Sequence, residues 1–125
     1  MSNLSRICVA VAGLFAFAAP AAAQTFEAEI DCGGVFQQGD DVPFTVRFEE
    51  QAFQQHNIQL VVTLTGPGIS KTVINKSFTL GANQDRDINK IIALKANAPT
   101  GDYDMRVEAD DGTTLQSDTC SFDVI

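Results

Sequence analysis

The side chains that could carry chemistry in this 125-residue sequence are few and widely spaced. There is one histidine, His56, and it lies in the polar run 54–57. A Ser-His-Asp mechanism or a multi-histidine metal centre would depend on that single imidazole. A blue-copper site needs two histidines and a free cysteine. We therefore predict no catalytic residue, and we interpret His56 as a solvated loop residue.

The acidic residues are numerous, sixteen against eight basic ones, and they give a net charge of -8 at pH 7. Such a charge repels a phosphate backbone, so nucleic acid is not an expected partner. Asp40, Asp41 and Asp102 fall in two predicted loops that we expect at the same end of the domain, and carboxylates are ligands that calcium prefers. No calcium-loop motif is present, and acidic turn residues commonly serve as turn formers. Calcium is kept as an alternative, and no other cofactor is expected.

The first 23 residues have the pattern of a secretory signal peptide, to be removed before Gln24. Arg6 precedes an apolar run at 7–19, and three alanines stand at 21–23. The apolar run would span roughly 20 Å as a helix, less than the roughly 30 Å hydrocarbon core of a bilayer. We therefore expect a periplasmic or secreted product that has no transmembrane segment and consists of one domain, 24–125.

Removal of the leader also removes Cys8, which leaves Cys32 and Cys120 as the two cysteines of the mature chain. Exported proteins fold in an oxidising compartment, so we predict a disulfide between them. Redox motifs place their cysteines two residues apart, and almost no histidine is available to complete a metal set. A catalytic or metal-binding role for this pair is not expected.

The mature chain alternates apolar and polar residues, as strands with one buried face do. Seven segments show this alternation or are rich in β-branched residues, and they cover 26–32, 42–48, 58–64, 69–80, 88–94, 103–109 and 120–124. Turn residues separate them, and no helical period is present. The pattern predicts an all-β, seven-stranded immunoglobulin-like β-sandwich in which the first and last strands bring Cys32 to Cys120. Leu115 is out of phase with Cys120, which predicts a bulge in the last strand.

The run 98–107, Ala-Pro-Thr-Gly-Asp-Tyr-Asp-Met-Arg-Val, resembles the Pro-x-Gly-x-Tyr turn and the following strand of bacterial immunoglobulin-like and macroglobulin-like domains. The run 121–124, after a glycine-containing hairpin, is similar to the end of macroglobulin-type domains. The resemblance is confined to this last part of the chain and implies the fold alone. It also implies a tyrosine corner, in which the Tyr103 hydroxyl bonds to backbone in the preceding loop and Gly101 permits a tight turn.

Two aromatic residues, Phe36 and Phe53, stand among polar residues and glycines in predicted loops. A loop aromatic can anchor a protein partner, or it can cover the end of the sandwich. The leading hypothesis is an exported, non-catalytic binding module whose partner is another envelope or extracellular protein. One alternative is a self-assembling subunit that uses edge pairing or donates its first strand. A calcium-dependent binding domain is the other alternative.

Overall fold

The computed structural model describes residues 26–125, so the predicted signal peptide lies outside the described residues. The described chain forms strands separated by turns and short loops. Their bounds are β1 (Phe26–Asp31), β2 (Val35–Phe36), β3 (Asp41–Glu50), β4 (His56–Gly66), β5 (Ile69–Leu80), β6 (Asp85–Ala93), β7 (Gly101–Asp110) and β8 (Leu115–Val124). Within this part of the chain no helix is long and apolar enough to cross a membrane.

The strands form two sheets that pack as a sandwich. One sheet has the order β1-β3-β6, and the other has the order β2-β8-β7-β4-β5. Neighbouring strands are antiparallel except for β2, which pairs with β8 in parallel. The predicted all-β immunoglobulin-like sandwich is confirmed. The two-residue strand β2 was not predicted, because two residues are too few to show a period.

The core lies between the inward faces of the two sheets. Alternate residues of β3 and β4 are buried, and the fully or almost fully buried ones are Val42, Phe44, Val46, Phe48, Ile58, Leu60, Val62 and Leu64. Each such side chain contributes about 1.5–3 kcal/mol by leaving water. The period of two in the sequence therefore decides which face of each strand is buried.

One side of the sandwich is closed where β1 meets β8. The predicted disulfide is confirmed here, since Cys32 and Cys120 are bonded with their Cα atoms 5.8 Å apart. The backbone N–H of Ile30 also donates to Oδ2 of Asp118 at 3.0 Å. Because β1 pairs with β3 rather than β8, the disulfide joins the two sheets and not two strands of one sheet.

The first strand is part of its own core. Phe26 is 0% exposed and Ile30 is 5% exposed, and all six residues of β1 pair with β3. A donor strand has to be free to leave its own domain. The alternative in which β1 is donated to another copy therefore loses its structural basis.

The predicted bulge in the last strand is wrong. The register of β7 with β8 is unbroken from Gly101 opposite Val124 to Asp110 opposite Leu115. Leu115 is out of phase because its side chain points to solvent, where it is 59% exposed. The register shift of this sheet instead falls between β4 and β5, where Val73 is the extra residue.

The β6–β7 connection has the hydrogen bond of a tyrosine corner. The Tyr103 hydroxyl donates to the carbonyl of Pro99 at 2.6 Å, and the ring stacks on Phe122 with a centroid distance of 5.3 Å. Gly101 adopts a φ of +133°, which favours glycine. Gly66 is also required here, because a Cβ atom at this position would lie 2.6 Å from Cε2 of Tyr103.

Candidate functional site

The β3–β4 connection, residues 51–55, presents an aromatic side chain to solvent, and we call it the Phe53 loop. Phe53 is 75% exposed, the highest value among the large apolar residues described. Its backbone lies in the left-handed region with a φ of 56°. This conformation costs an L-residue about 1–2 kcal/mol, so the surrounding structure has to impose it.

Glu50, at the end of β3, fixes the backbone of the Phe53 loop. Its Oε2 atom accepts from the amide of Ala52 at 2.8 Å, and its Oε1 atom accepts from the amides of Gln54 at 3.2 Å and Asn83 at 2.8 Å. Oε2 also lies 2.8 Å from Nε2 of His56. One buried carboxylate thus ties the Phe53 loop to the β5–β6 turn and to the start of β4.

His56 lies between two carboxylates. Its Nε2 faces Glu50, and its Nδ1 lies 2.9 Å from Oδ2 of Asp111 in the β7–β8 hairpin. The other oxygen of Asp111 accepts from the amides of Thr113 and Thr114 at 2.9 and 2.7 Å. His56 is 4% exposed and its ring packs 5.5 Å from that of Phe26. The interpretation of His56 as a solvated loop residue is therefore wrong.

Burial and hydrogen bonding act in opposite directions on the pKa values of this cluster. Burial raises the pKa of Glu50, but the amides of Asn83, Ala52 and Gln54 and the ring of His56 outweigh it and lower this pKa to about 2. Burial lowers the pKa of His56, but hydrogen bonds to Glu50 and Asp111 raise it above its ordinary value. Burial raises the pKa of Asp111, but hydrogen bonds from the amides of Thr114 and Thr113 and from the ring of His56 outweigh it and lower this pKa. These shifts all favour the charged forms, an imidazolium between two carboxylates.

This arrangement stabilises the loops and is not suited to proton transfer. A general base needs one ring nitrogen free to reach a nucleophile or a substrate. Both nitrogens of His56 already face carboxylates, and its ring is buried. The cluster instead connects the Phe53 loop, the β5–β6 turn and the β7–β8 hairpin at one end of the sandwich.

The pattern of the sequence held a signal for this cluster. Glu50 continues the inward-facing series of β3, and His56 begins the inward-facing series of β4. A carboxylate and an imidazole on the buried faces of consecutive strands would meet near the connecting loop. Asp111 carried no such signal, because its contact with His56 spans a sequence separation of 55.

The three aspartates considered for calcium do not come together. Oδ2 of Asp40 accepts from the amide of Gln37 at 2.8 Å and so shapes a turn, and Asp41 begins β3. Asp102 lies in the other sheet opposite Asp123, and a hydrogen bond with Asp102 is the main cause that raises the pKa of Asp123. Among residues 26–125, no three His, Cys, Asp or Glu side chains are arranged to hold a metal ion.

The second aromatic candidate, Phe36, packs against its own domain. It lies in β2, it is half-buried, and its ring meets that of Phe122 edge-on with centroids 5.8 Å apart. Phe122 in turn stacks on Tyr103. Of the two loop aromatics, Phe53 is therefore the one that is exposed to solvent.

The fold and this site define an immunoglobulin-like sandwich that displays an aromatic loop at one end. No protein-family model matches the sequence, and a search of curated proteins found no match either. The fold itself is shared with solved structures at low identity. A CARDB domain from Pyrococcus furiosus, solved in complex with di-metal ions, is 14% identical with a TM-score of 0.66, over 80% of this chain and 87% of that one.

Two larger proteins contain a similar domain. A fragment of alpha-2-macroglobulin from Escherichia coli, from domain MG7 to its C-terminus, is 13% identical with a TM-score of 0.62. The match covers 80% of this chain and 16% of the fragment. The alkylpurine DNA glycosylase AlkC of Pseudomonas fluorescens is 18% identical with a TM-score of 0.62, over 80% of this chain and 30% of that one. At such identities the likeness shows the fold alone.

Proposed function

We propose that this chain is an exported, non-catalytic binding module that recognises another envelope or extracellular protein through the Phe53 loop. The observation that carries the proposal is the exposure of Phe53 on a loop whose backbone is fixed by a buried carboxylate. Large aromatic residues are enriched among the residues that dominate binding energy. A loop ordered before binding also loses less conformational entropy when the partner arrives.

The cost of displaying Phe53 supports a role outside the domain. The side chain does little for the core, since it is 75% exposed, and its φ of 56° is unfavourable for a non-glycine residue. The buried cluster of Glu50, His56 and Asp111 holds the loop in this conformation. A residue that adds strain and buries little where it stands is explained best by a contact with a partner.

Export is supported by the leader-like first 23 residues and by the Cys32–Cys120 disulfide, a bond that persists in oxidising compartments. The expected mature chain begins at Gln24. To test export, the full-length chain is expressed, the periplasmic fraction is collected separately, and the intact mass of the product is measured. A cytoplasmic, reduced, full-length product would contradict it.

A matched pair of variants tests the binding surface. The oxidised chain 24–125 is immobilised and partners are captured from envelope extract, with Phe53→Ala compared with Val35→Ala. Val35 is also apolar and 61% exposed, but it follows the end of β1 that lies away from the Phe53 loop. We expect Phe53→Ala to weaken capture by at least about tenfold and Val35→Ala to leave it unchanged.

Two outcomes would contradict the proposal. Equal capture by wild type and Phe53→Ala would show that the Phe53 loop is not the binding surface. Loss of capture in both variants would place the contact elsewhere or reveal a general loss of folding, and urea unfolding of each variant separates these two explanations.

A further inference from the structure

The two sheets stay apart along the side opposite the disulfide. There β5 and β6 are the edge strands, and within residues 26–125 each pairs with a single neighbour, β4 and β3 respectively. A groove of about 290 Å³ lies between them, and Phe44, Val73 and Ile92 contribute its apolar lining. The outer edges of β5 and β6 therefore carry backbone groups that no described strand satisfies.

Two lysines line this groove from inward-facing positions. Lys90 lies on the side of β6 that also holds buried Ile88 and Ile92, and Lys71 lies opposite buried Leu64 of β4. Both lysines remain exposed, and neither forms an ion pair with an acidic group of residues 26–125. Inward-pointing charges on an edge strand prevent indiscriminate strand pairing. A strand that adds here has to bring a negative charge.

The charge of the groove differs from that of the whole chain. Among residues 26–125, no acidic side chain lines the groove, although the whole chain has sixteen acidic and eight basic residues. This local surplus of positive charge complements a carboxylate on a partner. Two copies of this chain, each with a net charge of -8 at pH 7, repel one another, which disfavours a second copy as the occupant.

Of the two edges, β6 is the one that can accept a regular strand. The extra residue Val73 interrupts the register of β5, whereas β6 pairs with β3 without a break from Asp85 to Ala93. A bulge disturbs further pairing along the strand that carries it. On the outward face of β6, Ile91 is 65% exposed and would be covered by an apolar neighbour on an added strand.

We propose that the free edge of β6 binds an extended segment of a partner protein as an added antiparallel strand. Cross-strand pairing determines the sequence pattern of this segment. It has apolar residues opposite Ile92, Ile91 and Ile88, and it has a carboxylate opposite Lys90 and within reach of Lys71. Main-chain hydrogen bonds supply affinity, and the placement of the carboxylate between β-branched residues supplies specificity. This site is separate from the Phe53 loop, and Phe53→Ala leaves it intact.

A short peptide tests the proposed pairing directly. The probe is the capped heptapeptide threonine-valine-valine-glutamate-threonine-valine-threonine, and the control peptide has lysine in place of glutamate. Each is titrated into oxidised, ¹⁵N-labelled chain 24–125, and amide shifts are followed. We expect the shifts to concentrate in β6 and the groove, with the glutamate peptide binding at least about tenfold more tightly than the lysine peptide.

Charge reversal supplies the matched variants. We expect Lys90→Glu and Lys71→Glu each to weaken binding of the glutamate peptide by at least about tenfold, and Lys90→Glu to bind the lysine peptide better than wild type does. The control is Lys95→Glu, an exposed lysine outside the groove, which should change affinity less than about twofold. Equal affinity for the two peptides in wild type, or shifts confined to other strands, would overturn the proposal. A concentration-dependent dimer formed through β6 would overturn it too, because it would identify a second copy as the occupant.

Discussion

Replacing Phe53 by glycine should stabilise the domain relative to replacing it by alanine. In the structure Phe53 has a φ of 56° and its side chain is 75% exposed, so either substitution removes little buried area. Alanine keeps the strain of the left-handed conformation, about 1–2 kcal/mol for an L-residue. Glycine relieves it but loses about 0.5–1 kcal/mol through its more flexible unfolded state. The difference leaves Phe53→Gly more stable than Phe53→Ala by up to about 1.5 kcal/mol.

The assay is urea unfolding of the oxidised chain 24–125 followed by far-ultraviolet circular dichroism, since the sequence has no tryptophan. The two variants are compared by their midpoints at an unchanged slope. Asn83 is the matched control, because its φ is 55° and asparagine tolerates this region better than phenylalanine does. Relative to wild type, Asn83→Gly should therefore relieve less backbone strain, and gain less stability from that relief, than Phe53→Gly does. If Phe53→Gly is less stable than Phe53→Ala, the left-handed conformation is not imposed on the loop, and the argument that Phe53 is displayed at a cost fails.

Three further predictions concern the disulfide, the tyrosine corner and the charged cluster. Replacing Cys32 and Cys120 by serine should lower the free energy of unfolding by about 4–5 kcal/mol, because the bond closes a loop with a sequence separation of 88, and equal urea midpoints would contradict this. Gly66→Ala should cost about 1–3 kcal/mol, since the new methyl group overlaps the Tyr103 ring, and an unchanged melting temperature would show that the ring moves freely. The pKa of His56 is raised above its ordinary 6.5, so its contribution to stability is full below pH 6.5 and is lost as the pH rises through the folded-state pKa. His56 is the single histidine, so an NMR titration of its ring reads this pKa directly, and a value at or below 6.5 would refute the cluster as described.

The strands and the disulfide could be predicted from the sequence because both depend on information that lies along the chain. Alternation in a segment such as 42–48 reports which face is buried, and the predicted removal of the leader leaves Cys32 and Cys120 to pair with each other. The short strand β2 and the register shift at Val73 leave no comparable pattern, since each is fixed by contact with a neighbouring strand.

The charged cluster escaped prediction for a related physical reason. The polar neighbours of His56 suggested a solvated loop, and its burial depends on Asp111, which arrives from a distant hairpin. The alternation of residues along β3 and β4 places Glu50 and His56 at inward positions. A polar residue at an inward position near a strand end is, however, usually assigned to solvent. Tertiary contacts, not local propensity, decided the environment of these side chains.

The disulfide also determines how the domain would respond to a stretching force. A pull applied to Phe26 and Val124 passes along a few residues to Cys32, across the bond to Cys120, and along the end of β8. Fully drawn out, these two short segments span about 35 Å, whereas the same stretch of chain without the bond would reach about 330 Å. Under mechanical load the oxidised domain is therefore a nearly inextensible link, and reduction would convert it into a long, compliant tether.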